Sequence, residues 1–143
     1  MRTMLGRMLA VAAFLLPAAP GMAQDPLPVA SATFVEVPPV IDGIVDDPVW
    51  EHAEPITGFV QTEPVEGRPA SEKTVVRILY NTRALFISVI CYDSEPGLIR
   101  VTDSRRDSGM NDTDSFQVIF DTYHDRQNGF VFGTNPAGIE FDG

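Results

Sequence analysis

Cysteine is nearly absent: Cys91 stands alone among 143 residues, so no disulfide can form within the chain. Basic residues are also scarce, ten Lys and Arg against twenty Asp and Glu, for a formal net charge of −10. A protein that grips a phosphate backbone needs the opposite balance, so no nucleic-acid partner is expected. There are two histidines, His52 and His124, and neither lies in an "HExxH" spacing; there is no paired "CxxC" and no serine or cysteine nucleophile elbow. Carboxylate pairs for glycoside hydrolysis can be drawn at will from twenty acids, which is why none is informative. The segment is therefore expected to be non-catalytic. After the first two dozen residues there is neither a long apolar run nor a dozen residues of helical periodicity.

The amino end is different. Arg2 and Arg7 precede the apolar run "MLAVAAFLLPAAP" and the small residues "GMA". This is the pattern of a secretory signal peptide covering residues 1–23, with cleavage after Ala23. The run falls short of the roughly 20 residues a spanning helix needs. Export to the periplasm, outer membrane or extracellular space follows, and loss of the two arginines makes the mature chain more acidic still. Residues 24–39, rich in proline and small residues, read as an extended linker.

From residue 74 the period becomes two. "KTVVRILY" and "ALFISVICYD" alternate around the turn "NTR", and both faces are largely apolar, which predicts a central hairpin covered on both sides, with Cys91 a small core residue. After the polar stretch "SEPGLIRVTDSRRDSGMNDTD", "SFQVIFDT" and "FVFGTN" form a second hairpin reversed through "YHDRQNG" at Asn128-Gly129. Short strands between turns predict an all-β fold, an antiparallel β-sandwich of immunoglobulin or jelly-roll type over residues 40–143. "NPAGIEFDG" opens a further turn and strand with nothing after it to pair, so the sandwich is expected to be truncated at its carboxyl end.

The one tryptophan lies in "IDGIVDDPVWEHA", residues 41–53. Gly43 suits a tight turn, Pro48 the first turn of a short helix capped by Asp46 or Asp47, and Trp50 and Ala53 share one side of that turn. A large aromatic beside a small residue reads as a peg closing the end of a sandwich, in preference to a ligand platform.

This stretch, with "KTVVRILYNTRALFISVICYD", "DTDSFQVIFDT" and "NGFVFGTNPAG", resembles the family 9 carbohydrate-binding module, in the form found at the amino end of exported bacterial proteins whose remainder resembles an outer-membrane β-barrel. The motif order carries the likeness: Ile41-Asp42-Gly43, Asp46, Trp50 and Ala53, Asp93, Arg106-Asp107, Asp114, Asp121, then Asn135-Pro136 and Gly138. Val45 replaces the usual leucine and Asp47 a common glutamate. The resemblance makes Trp50, Asp42 and Gly43 structural and implies binding of a polysaccharide or oligosaccharide, with a fusion to an enzyme domain or an outer-membrane barrel downstream. Sugar-binding members clamp the sugar between two tryptophans. The positions the resemblance aligns with that site carry Asn111 for a tryptophan, Gln117 for a glutamate and Gly133 for an arginine. Tyr92 and Tyr123 are the remaining aromatic candidates for sugar contact.

Asp112, Asp114, Asp121 and Asp125 cluster around the second hairpin, and oxygen-rich loops of this kind suit Ca2+. The same residues serve equally as turn-formers through local backbone hydrogen bonds. Two alternatives to sugar binding stand beside it. One is a structural or gating domain of an outer-membrane transport protein. The other is a haem-binding relative using Met110 or His124.

Overall fold

In the computed structural model, residues 28–101 and 113–143 are described. They form two three-stranded sheets and two short 3-10 helices, an all-β chain. The first sheet contains β1 (Thr33–Phe34), β2 (Thr74–Tyr80) and β3 (Leu85–Cys91) in that order. The second contains β4 (Phe116–Phe120), β5 (Phe130–Thr134) and β6 (Glu140–Asp142), all antiparallel. The signal segment 1–23 lies outside the described residues.

The β2–β3 hairpin forms where alternation predicts it, in continuous register from Thr74 opposite Cys91 to Tyr80 opposite Leu85. Asn81 makes the turn: its side-chain oxygen accepts from the N–H groups of Arg83 (2.8 Å) and Ala84 (3.0 Å). The covering of the two faces is uneven. Val75, Leu79 and Ser88 are buried on one face; on the other Val76 is buried and Ile78, Ile87 and Val89 are half-buried, but Tyr80 and Leu85 at the turn end are exposed, and β3 is an edge strand instead of a central one. Cys91 is correspondingly exposed, because it ends that edge strand.

The linker reading of residues 24–39 also needs correction at its far end. Its extended backbone allows Thr33 and Phe34 to pair in parallel with Leu79 and Tyr80. Val35 then donates to the Tyr80 carbonyl at 2.9 Å and enters the core. Proline-rich chain is stiff and extended, so it joins a sheet edge at little further entropic cost.

Val35, Trp50, Ala53 and Leu79 make the buried cluster, flanked by Val45, Val49 and Phe86. Trp50 arrives on the 3-10 helix Pro48–His52, where proline at the start presets the backbone. The Asp47 carbonyl accepts the Trp50 N–H at 3.1 Å, but the Asp47 carboxylate accepts from Val40 (2.9 Å) and does not cap the helix. Asp42 accepts the Ile44 N–H at 2.8 Å, and Gly43 between them has φ +87°, a turn that a side chain would resist. Trp50 is 5 % exposed, so the tryptophan is a buried peg.

The second sheet buries much less. Phe116, Val118 and Phe120 are half-buried on one face, where Phe120 meets Phe132 edge-to-face at 5.9 Å. The final segment does pair, against β5: Phe132, Gly133 and Thr134 oppose Asp142, Phe141 and Glu140. The hairpin loop before β5 spans 121–129, containing the expected "YHDRQNG" reversal, but its left-handed residues are His124 and Arg126.

Candidate functional site

Beyond Cys91 the first hairpin continues for one more pairing, the Tyr92 N–H donating to the Lys73 carbonyl at 2.8 Å. This holds the half-exposed Tyr92 ring beside Lys73, whose Nζ lies 5.3 Å from the ring centroid, a cation–π contact. Asp93 accepts the Glu95 N–H at 2.7 Å, and Glu72 accepts the Ser94 hydroxyl.

The chain then crosses to the second sheet and is pinned there. Asp114 donates its N–H to the Arg100 carbonyl (3.0 Å), while its carboxylate accepts the Arg100 N–H (2.7 Å). The Thr113 hydroxyl also donates to the Arg100 carbonyl, at 2.8 Å. On the far side of β5, Asn135 is buried and its side-chain oxygen accepts from Ala137 (3.0 Å) and Ile139 (3.2 Å). Gly138, at φ +73°, closes that turn on the Asn135 carbonyl.

Between these fixed points lies an open cleft of about 510 Å3. Val89, Ile99 and Phe116 supply apolar wall, Tyr92 an aromatic one, and Thr134 and Asn135 polar surface; Glu72, Asp93 and Asp114 bring three carboxylates. The volume is in the range of small-ligand sites. Apolar and aromatic surface for C–H faces, with carboxylates to accept charge-assisted bonds from hydroxyls, is the chemistry a polyhydroxylated ligand needs. A hollow of about 570 Å3 at the opposite end of the first sheet, beside Phe34, Pro38 and Arg83, contains none of the residues singled out from the sequence.

Of the candidate sugar- and metal-contact residues, Tyr92 and Asp114 enter the cleft, beside Cys91 and the motif residues Asp93, Asn135 and Pro136. Gln117 and Gly133 do come together, as cross-strand partners on β4 and β5. A Cβ built on Gly133 would lie 3.0 Å from Gln117 Cγ, so glutamine fills the place above the glycine. Tyr123 is exposed in the hairpin loop, away from the cleft. Asn111, Asp112, Arg106, Asp107 and Met110 lie outside the described residues.

Asp121 and Asp125 build the hairpin loop. Asp121 accepts from the N–H groups of Asp125 (3.2 Å) and Arg126 (2.8 Å). Asp125 accepts from those of Gln127 (2.8 Å) and Asn128 (2.9 Å), and from the Asn128 side-chain amide at 2.9 Å. Both carboxyls are held below the usual aspartate range, Asp121 chiefly by the Arg126 N–H and Asp125 chiefly by the Asn128 side chain. Among the described residues no three His, Cys, Asp or Glu side chains converge in a way that could hold a metal ion.

The sequence signals for Glu72, Thr134 and Asn135 as cleft residues were faint. Only "NPAG", a turn motif after a strand, marked Asn135 as a fixed point. Comparisons of the chain with protein-family models, with curated proteins and with solved structures give no match.

Proposed function

We propose that this chain is an exported, non-catalytic carbohydrate-binding module resembling family 9, the front part of a larger protein that works on or near polysaccharide. The observation that carries the reading is the cleft between the two sheets, where Tyr92 and Phe116 offer stacking surface beside the acceptors Glu72, Asp93 and Asp114. The sugar site implied by the resemblance is a poor alternative location. Gln117 and Gly133 lack the charges it requires, and the space over Gly133 is taken. In this reading the two sheets belong to a sandwich and the ligand enters at the end where they meet.

The test is affinity gel electrophoresis of the chain from residue 24 against a panel of soluble polysaccharides. Retardation by at least one of them, lost in Tyr92→Ala and kept in Tyr123→Ala, is expected. Free migration in every gel would remove sugar binding. A second reading, a structural or gating domain of an outer-membrane transport protein, is favoured by the missing charges at Gln117 and Gly133. It predicts no retardation at all.

A further inference from the structure

Strand β3 is the outer strand of its sheet, and among the described residues its free side has no strand partner. Exposed edges are commonly blunted by proline, by charged side chains or by bulges. Leu85–Cys91, "LFISVIC", contains neither proline nor charge, and its register against β2 is unbroken. Seven residues of apolar, open edge are a template for another strand.

The sequence around this edge is nearly self-complementary. Ser88 is its middle residue. In an antiparallel pairing of β3 with itself centred on Ser88, Ile87 opposes the partner's Val89, Phe86 the partner's Ile90 and Leu85 the partner's Cys91. Opposed residues share a face, so apolar meets apolar in each of these pairs, on either side of the central Ser88–Ser88 pair. Two positions further out, beyond Ala84 and the partner's Tyr92, Arg83 comes opposite the partner's Asp93. Both are exposed, and neither is in an ion pair among the described residues. The two-fold operation makes that charge match twice.

We propose that a second copy of this chain adds to β3 by isologous antiparallel pairing about Ser88, joining the two first sheets into one six-stranded sheet, with reciprocal Arg83–Asp93 pairs at its ends. Val89, Cys91 and Asp93 of this edge also line the cleft; the pairing does not rest on sugar binding and is tested below without any sugar.

Leu85→Cys tests the register directly. Directly opposed antiparallel residues have Cα atoms roughly 4.5–5.5 Å apart, within disulfide reach. Within one chain, positions 85 and 91 lie six residues apart on one strand, roughly 20 Å, and cannot bridge. Mild oxidation of Leu85→Cys should therefore give a reducible covalent dimer on a non-reducing gel, while the wild type, whose two Cys91 thiols are far apart in this pairing, stays uncrosslinked. Arg83→Glu should weaken dimerisation about tenfold by placing like charges opposite twice, and adding Asp93→Lys in the same chain should restore it, both read by analytical ultracentrifugation. A folded Leu85→Cys protein that remains monomeric under oxidation, or a wild type that sediments as a monomer throughout, overturns the proposal and leaves the edge to a different strand.

Discussion

Replacing Trp50 separates its bulk from its polar atom. The side chain is 5 % exposed and packs with Val35, Ala53 and Leu79, which is the only buried hydrophobic cluster of this chain's described residues. An aromatic of this size takes roughly 150–250 Å2 out of water, about 4–6 kcal/mol at about 25 cal/mol per Å2. Alanine keeps a little of that, so Trp50→Ala is expected to cost about 3–5 kcal/mol. A domain with so small a core sits near the lower end of the usual 5–15 kcal/mol range, and this loss leaves it largely unfolded. Trp50→Phe should behave differently. Among the described residues the buried indole Nε1 has no hydrogen-bond partner, a cost of about 1–3 kcal/mol that phenylalanine removes. The lost ring area and the relieved donor then nearly offset, leaving a penalty under about 2 kcal/mol. Urea unfolding followed by far-UV circular dichroism is the assay, since both variants lose the only tryptophan fluorophore. A Trp50→Ala protein with an unchanged midpoint would refute the peg, and a Trp50→Phe protein as unstable as the alanine variant would refute the account of the unpaired N–H.

The hairpin loop yields a pH prediction. Asp121 and Asp125 have folded values below the ordinary 3.8, so their contribution is fully present above that value and is lost as pH falls through the lowered folded values. Asp125→Ala should flatten this acid branch of the urea midpoint measured from about pH 5 down to about pH 2. Gly129→Ala should destabilise by about 1–3 kcal/mol, because a Cβ there meets Ile119 Cγ2 at 2.9 Å and the Phe120 carbonyl oxygen at 3.1 Å; a thermal melt reads the loss. The calcium proposal is decided by melts in chelator and then in millimolar calcium at screening ionic strength. A held ion stabilises by about 2.7 kcal/mol at a hundredfold excess over its dissociation constant, whereas aspartates serving only as loop-formers leave the midpoint where it was.

Strand alternation made β2, β3, β4 and β5 legible to within two residues at their ends, because hairpins join neighbours in sequence and each strand carries its own period. Trp50 as a peg was legible too, from an aromatic and a small residue three apart behind a proline. β1 was not. Two residues have no period, and their pairing with Leu79 and Tyr80 bridges more than forty positions of chain. How far each face of the first hairpin is covered was equally hidden, since both read as apolar and only tertiary packing leaves the turn end of one exposed. The cleft suffers most, because its lining runs from Glu72 to Pro136 and no local pattern joins those ends.

The central claim is that the cleft beside Tyr92 takes a carbohydrate. It is tested most directly by titrating isotope-labelled protein with oligosaccharides from whichever polysaccharide retards it, and mapping the amide shifts. Perturbations gathered at Tyr92, Asp93, Thr134 and Asn135 are predicted. Shifts centred instead on Gln117, Gly133 and Phe141, or none with any sugar offered, would contradict it.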